Sequence, residues 1–528
     1  MNAEMGSARS KSWVLWTTSI VSSLIMLDSN IVAVSLPAIA RSLGASFQDV
    51  QWVISAYLLA YAALLLAAGA AADLWGRKKA MIVGLVTFAG GSIACGLADS
   101  STVLNIARAV QGVGGSLLLT ASLAIITHTF TGADRAKAFA VWGAWIGIAL
   151  VAGPILGGTI TSFAGWRWIF LVNVPICVLL IIATVWVVGE SKDAEATKLD
   201  IAGVVTFSPG LFLLVWALID GNDSGWSSFA ILGRFAGAAL FFAVFVGVEL
   251  RQKRPMIDFS LFRQPTFLGA VFAMLGYGAA AQVMVFTLPM FLQNAYGFRP
   301  VLAGLAMLPF AVPMVLAPRL VARYGEKVSA RVRLTVGLLI CFAGNIFFWR
   351  AAEGGATYGI FIFGMLVGGV GAGILNGETV KVMGSAVPPE RAGMASGLAS
   401  TTRFIGILVG TAVLGAVLAS TLRHQFLAAA AHFNVDGKIT DEAVRLISAG
   451  NAIHAIQILP APSREALSAV GMHAFAHGFG AGALVAAIAA AMACALTFWF
   501  VRPDGAAAEK AALESDGHCQ LIDCRHPI

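Results

Sequence analysis

Apolar residues recur along this chain in long runs, each closed by a short polar or basic connection. Reading run by run gives spans at 13–36, 50–72, 80–98, 103–126, 138–161, 168–188 and 201–220. Seven more follow at 229–249, 266–291, 300–322, 332–350, 357–380, 397–422 and 475–501. A helix rises about 1.5 Å per residue, so about 20 apolar residues cross the ~30 Å hydrocarbon layer of a bilayer. The pattern therefore predicts an all-α polytopic membrane protein with fourteen transmembrane helices. The first run is too long for a cleaved leader and lacks a small-residue cleavage site.

Polar punctuation divides the spans unevenly. "GESKDAEATKLD" (189–200) breaks the chain after helix 6, and residues 423–474 read as a long external loop. Within that loop "TDEAVRLIS" and "PSREALSAVG" are patterned as short surface helices. The 506–528 tail is Ala-rich and polar, and is expected to be a disordered cytoplasmic extension. "LPAIARSLG" (36–44) at the end of helix 1 returns as "LPMFLQNAYG" (288–297), and "ADLWGRKK" (72–79) returns weakly as "ARYGEKV" (322–328). This spacing predicts a 6 + 2 + 6 plan. An N-terminal six-helix bundle occupies 1–188, a linker with inserted helices 7 and 8 occupies 189–260, and a C-terminal six-helix bundle occupies 261–505. Repeated halves with a site between them near the midplane are a feature of secondary transporters.

Composition agrees: 59% of the 528 residues are hydrophobic and 12% charged, against about 45–50% and about 25% in soluble domains. The net charge of +7 points to membrane orientation rather than nucleic acid. Basic residues gather in alternate connections: Arg77-Lys78-Lys79, Arg135 and Lys137, Arg251 with Lys253 and Arg254, and Arg319 through Arg333. That bias places these connections and both termini in the cytoplasm. Four cysteines (Cys95, Cys177, Cys341, Cys494) lie in spans and read as small apolar residues. His518, Cys519, Cys524 and His526 cluster in the tail, but their spacing fits no zinc template. No metal and no cofactor are expected.

Within this apolar background "MLDSNIVAVSLP" (26–37) carries Asp28 about fifteen residues into helix 1. A carboxylate at that depth costs roughly 2.5–3.5 kcal/mol or more. Helix 4 brings Arg108 to a comparable depth, on a face shared with Gln111, Gly112, Gly115 and Ser122. Two readings stand: an ion pair that fixes the packing of helices 1 and 4, or a carboxylate that takes up and releases a proton. Burial favours the neutral acid and a guanidinium favours the carboxylate, so a conformational shift tips the balance.

Other candidates are local. "GAAADLWGRKK" (69–79) combines Gly69 and Gly76, suited to close approach and a tight turn, with Asp73 and Arg77. Asp73 is expected near the start of helix 13, around Gly393 to Ser396, where a helix dipole attracts it. "GIALVAGPILGG" (147–158) presents Gly153, Gly157 and Gly158 as a small-residue face, with Pro154 interrupting the backbone ladder. Glu378 pairs either with Lys381 on its own helix or with Arg403 of helix 13. Tyr57, Tyr61, Gln111, Trp142, Trp145 and Phe286 are the expected lining of a substrate cavity, the aromatic faces suiting flat or cationic ligands. Helices 7 and 8 are expected at the periphery without substrate contact.

No P-loop, no nucleophile–base cluster and no soluble signalling domain is present in the sequence. This disfavours an ATPase, a membrane enzyme and a sensor, and leaves transport.

"LDSNIVAVSLP", "GAAADLWGRKK", "LNIARAVQGVGG" and "GPILGG" come in the order and spacing of the major facilitator superfamily. The chain resembles its fourteen-helix drug:proton antiporter branch, the EmrB/QacA type, from about residue 13 to residue 502. "WRWIFLVNVP", "LDIAG" and "PPERAGMASG" resemble that branch too. The resemblance implies proton-coupled efflux of small amphipathic or cationic compounds by alternating access from a bacterial inner membrane. It equally accommodates a dedicated exporter of one endogenous metabolite or self-made antibiotic. Protons, membrane lipids and an envelope-spanning adaptor are the implied partners. Asp28 and Arg108 fall on positions associated with proton handling, Asp73 and Arg77 on the gating loop, Gly153 and Pro154 on the antiporter motif. Helix 13 departs from the dication exporters of this branch: "SGLASTTRF" offers Arg403 and no acid.

Overall fold

The computed structural model describes residues 2–192, 200–252, 257–324, 328–387, 392–433, 435–448, 455, 457–460 and 462–502. Among them are fourteen helices long and apolar enough to cross a membrane. The first six are α1 (Lys11–Leu43), α2 (Phe47–Trp75), α3 (Arg77–Gly96), α4 (Ser101–Thr129), α5 (Lys137–Phe163) and α6 (Trp168–Val187). Next come α7 (Ile201–Ser224), α8 (Phe229–Glu249), α9 (Pro265–Ala295) and α10 (Pro300–Val321). The last four are α11 (Ala330–Glu353), α12 (Tyr358–Ser385), α13 (Gly397–His432) and α14 (Arg464–Phe500). Fourteen crossings put both chain ends at one face, called here the terminal face; the other is the far face.

Helix ends follow local chemistry. Ser46 caps α2: its Oγ accepts from Asp49 N–H at 3.1 Å while Asp49 Oδ2 accepts from Ser46 N–H at 2.9 Å, a reciprocal capping box. Gly76 separates α2 from α3 with φ +113°, a backbone region open mainly to glycine. In the middle of α9, Gly278–Gln282 widens to a π-helical turn, and Asn345 of α11 donates to the Ala280 carbonyl at 2.9 Å.

α1–α6 pack among themselves, and α9–α14 form a second group. The two groups meet along a seam where α1 touches α9, α2 touches α13 and α5 touches α10. α7 packs on α2 and α13 and so lies along the seam, while α8 packs on α7. The helices outrun the apolar spans. α13 continues to His432 and α14 begins at Arg464, so "PSREALSAVG" forms the first turns of α14 rather than a separate surface helix. "TDEAVRLIS" does form its own helix, Gly437–Ser448, whose Ala443, Val444, Leu446 and Ile447 are buried. The Cys/His tail lies outside the described residues.

Candidate functional site

The predicted pair is present and fully enclosed. Arg108 Nη1 donates to Asp28 Oδ2 at 2.6 Å, and both residues are 1% exposed. Arg108 Nε donates to the Val53 carbonyl of α2 at 3.1 Å, and its Nη1 also reaches Gln111 Oε1 at 2.8 Å. On the other carboxylate oxygen, Asn173 Nδ2 donates at 2.8 Å and Gln111 Nε2 approaches at 3.5 Å. Gln111 Nε2 also donates to Ser92 Oγ at 2.7 Å. The Tyr57 ring lies 4.2 Å from the guanidinium carbon. Five helices, α1, α2, α3, α4 and α6, thus converge on one charge-neutral cluster inside the first bundle.

Small residues make this convergence sterically feasible. A Cβ on Gly112 would strike the Tyr57 carbonyl, and one on Gly91 would sit 2.7 Å from Gln111 Cγ. Glycine at both positions lets α2 and α3 close onto α4. Removing one member of a dry ion pair costs about 3–5 kcal/mol, because the other charge stays buried and unpaired.

The structure places Asn173 and Ser92 in this cluster, where the sequence alone did not. Their signal was an uncharged polar residue in an apolar span, which by itself does not say which neighbour it meets. Gln111 belongs to the same cluster rather than to a substrate cavity. Tyr57 lies against the Arg108 guanidinium and stacks on Tyr61 at 5.9 Å, both under 2% exposed, and Tyr61 packs across the seam on Phe404 of α13 at 4.4 Å. Trp142 donates to Ser22 Oγ at 2.9 Å and Trp145 packs edge-on against Trp16 at 5.3 Å, so both are occupied with α1.

Phe286 does line a cavity. It bounds an apolar space of about 50 Å³ between the bundles, with Gln51, Ile54, Met284, Met290 and Phe475. Farther out lies a wider vestibule of about 510 Å³, whose walls include Gln48, Asn222, Arg423, Asp441 and Arg445. The loop helix Gly437–Ser448 and the end of α7 border it, so α7 is not peripheral here; Asn222 Nδ2 donates to the Ala416 carbonyl of α13 at 2.6 Å. Gln51 lines both spaces and crosses the seam, donating from Nε2 to the Thr411 carbonyl at 3.3 Å.

The α5 motif packs against α1 and α10 at the far-face seam. Cβ atoms on Gly153 and Gly157 would lie 2.6 Å from Asn30 Cβ and 2.7 Å from the Ile31 carbonyl of α1. Gly158 faces the Pro300 carbonyl of α10, and Gly304 of α10 faces the Pro154 carbonyl, both too closely for any side chain. Gln293 Nε2 of α9 donates to the Val34 carbonyl of α1 at 2.7 Å and closes the same side.

On the terminal face Asp73 is held by Arg77, whose Nη2 lies 3.0 Å from Oδ1. The side chains of Gly393 to Ser396, the partner expected for Asp73, lie outside the described residues. The α2–α3 turn is tied to the segment after α6: Arg77 N–H donates to the Ser191 carbonyl at 2.9 Å and Lys78 N–H to Glu190 Oε1 at 3.2 Å. Gly69 has room around it, its nearest neighbour being Thr120 at 3.8 Å, so close approach is not its role in this conformation. Glu378 pairs with neither predicted partner. Its Oε2 accepts from Arg333 Nε of α11 at 2.6 Å, because α11 rather than α13 lies beside that turn of α12.

This geometry is two bundles meeting along a seam, with a buried charge pair inside one bundle. A sequence profile described as Major Facilitator Superfamily matches residues 18–411. The chain belongs to the Major Facilitator Superfamily. Among relatives of this superfamily chain, "Multidrug resistance protein Stp" of Mycobacterium tuberculosis is 36% identical over 76% of this chain and 74% of its own length. The "Tetracenomycin C resistance and export protein" of Streptomyces glaucescens is 31% identical over 87% of this chain and 85% of its own. A bacterial homologue of the human lysosomal transporter Spinster, solved inward-facing and unoccupied, superimposes with a TM-score of 0.61. It covers 93% of this chain and 97% of its own at 17% identity, and so speaks to the fold alone.

Proposed function

We propose that this transporter is a proton-coupled antiporter that exports small amphipathic compounds across a bacterial inner membrane, with the terminal face in the cytoplasm. The observation that carries the reading is the sealed Asp28–Arg108 pair: a titratable group buried in one bundle, beside a seam that must open alternately to the two sides. Efflux itself rests on kinship with proteins named for drug and antibiotic export. The basic connections between α2 and α3 and between α10 and α11 support the orientation.

The geometry argues against direct competition between a drug cation and a proton at Asp28. Both carboxylate oxygens are filled by Arg108, Asn173 and Gln111, and no described cavity reaches them. Coupling works through packing instead. Protonation of Asp28 removes the charge that holds Arg108, leaves a guanidinium in a dry core, and drives α4 to seek another arrangement against α1. Deprotonation restores the pair. Because α1 and α5 carry the seam contacts to α9 and α10, repacking inside the first bundle is transmitted to the interface.

A second reading, a dedicated exporter of one self-made antibiotic or metabolite, is favoured by the long match to the tetracenomycin C exporter. Both readings meet one experiment: a resistance and accumulation screen of neutral, cationic and acidic amphipathic compounds in a host lacking its own pumps, with Asp28→Asn as control. Uncoupler-sensitive efflux of several unrelated compounds supports the broad reading, and of one compound the narrow reading. If no compound's efflux depends on Asp28 and the proton gradient, the proposal fails.

A further inference from the structure

Two buried tyrosines and one half-buried arginine within the spans belong neither to the Asp28 cluster nor to the Glu378 pair. Tyr61 is the middle residue of α2, and Tyr277 precedes the π turn of α9. Both are 0% exposed, and neither hydroxyl has a hydrogen-bond partner. Arg403 stands six residues into α13, so it lies about 9 Å along the axis from Gly397. Its Nε is buried without a partner, and the ion pairs among the described residues leave it out.

These groups converge on the seam. The Tyr61 ring packs at 4.4 Å on Phe404, and the Arg403 guanidinium carbon lies 4.9 Å from that same ring. On the other side the Arg403 carbonyl lies 2.6 Å from where a Cβ on Gly278 would be, directly beside Tyr277. One helix of each bundle therefore brings the Tyr61 ring and the Arg403 guanidinium onto the same Phe404 ring, and the α9 backbone next to Tyr277 packs on the backbone of Arg403.

We propose that Arg403, Tyr61 and Tyr277 bind the anionic group, a carboxylate or phenolate, of the exported compound. Arginine offers only donors and each tyrosine can add one, so the set lacks an acceptor and a negative charge. Both are what a carboxylate supplies, and an arginine fork matches its planar geometry. A guanidinium without a counter-ion inside a membrane marks a substrate pathway more readily than a packing contact. The lack of an acid on α13 that would suit cationic cargo fits the same direction. Binding here joins α2 to α9 and α13 across the seam, so occupancy is felt by both bundles, as an alternating-access site requires.

The inference rests on the export reading above and names the chemistry of its substrate. Its test uses 1-pyrenebutyric acid and its methyl ester, which share a greasy body and differ in the charge. Binding to the full-length protein in lipid nanodiscs is read by pyrene fluorescence, corrected for empty nanodiscs. The acid should bind about tenfold more tightly than the ester, and Arg403→Gln should remove that preference while leaving ester binding intact. Arg403→Lys should keep part of it. Tyr61→Phe and Tyr277→Phe should each weaken the acid alone, and they decide the matter if Arg403→Gln does not fold. Equal binding of acid and ester by the wild type, or an acid preference that survives in Arg403→Gln, overturns the site. Uncoupler-sensitive export of the ester without acid preference overturns the site and leaves proton-coupled export standing. Acid-selective binding without any export upholds the site and removes the export reading.

Discussion

Asp28 and Arg108 meet at 2.6 Å in a core that leaves each 1% exposed, and each is held by partners from other helices. The structural role of the pair and the coupling role proposed for it separate in a double-mutant cycle. Asp28→Ala should destabilise the protein by about 3–5 kcal/mol, because Arg108 is left charged and dry. The double variant Asp28→Ala/Arg108→Met should recover much of that loss, yet remain without transport. Thermal unfolding in detergent measures the first, and drug-induced proton release in reconstituted vesicles the second. Proton release of wild-type size from Asp28→Asn would place the coupling proton on another group.

The Glu378–Arg333 pair offers a sharper discrimination on the terminal face. Both side chains are about one-tenth exposed, with Oε2 and Nε 2.6 Å apart. Glu378→Gln and Arg333→Gln should therefore lose similar stability, about 1–3 kcal/mol. Lys381→Gln should lose almost none, since an exposed helical pair contributes about 0.3–0.5 kcal/mol. The exchange Glu378→Arg/Arg333→Glu should restore most of the loss. Equal effects of all three single changes would refute the pairing.

Much of this was legible from run lengths alone, since a bilayer imposes about the same apolar length on every crossing. Helix ends were not: α1, α13 and α14 continue past the apolar spans to Leu43, to His432 and from Arg464, where water and the loop helix take over. Asp28 and Arg108 stood out because membrane-buried charges are rare and matched depth limits the choice of partner. Asn173 and Ser92 stayed hidden, because an uncharged polar side chain in a span meets many neighbours equally well. The sequence offered Glu378 two partners, Lys381 and Arg403, and only the placement of α11 against α12 selects Arg333. Tyr57 and Tyr61 share a face by their spacing on α2, but spacing does not say that Tyr57 meets Arg108 while Tyr61 meets Phe404 across the seam.

The contacts between α5 and α10 should behave as a latch on the far face. Gly304 lies against the Pro154 carbonyl and Gly158 against the Pro300 carbonyl, so an added Cβ meets backbone that has no way to yield. Gly304→Ala and Gly158→Ala should therefore force the helices apart and shift the population toward a far-face-open state. Spin labels on the far-face ends of α5 and α10 should report a longer distance distribution in both variants. Gly143→Ala is the matched control, since nothing lies within 4 Å of its Cβ position. Unchanged distances in Gly304→Ala would show that the latch closes by another contact.

Gln51 should govern passage from the apolar cavity to the outer vestibule. Its side chain lines both spaces, donates across the seam to the Thr411 carbonyl at 3.3 Å, and fills the room left by Gly415. The hydrogen bond contributes only about 1 kcal/mol, so Gln51→Ala should fold normally while joining a cavity of about 50 Å³ to one of about 510 Å³. Thr287 lines the inner cavity alone, so Thr287→Cys places a thiol behind the barrier. The four cysteines among the described residues are buried and give a low background. A membrane-impermeant thiol reagent applied from the far face should label Thr287→Cys slowly with Gln51 in place and much faster in Gln51→Ala. Gly415→Ala should speed labelling as well, because the new methyl pushes the end of a flexible amide rather than backbone. Labelling rates equal with and without Gln51 would mean that the two spaces already communicate, and the barrier would then lie deeper, at the packing of Tyr61 on Phe404.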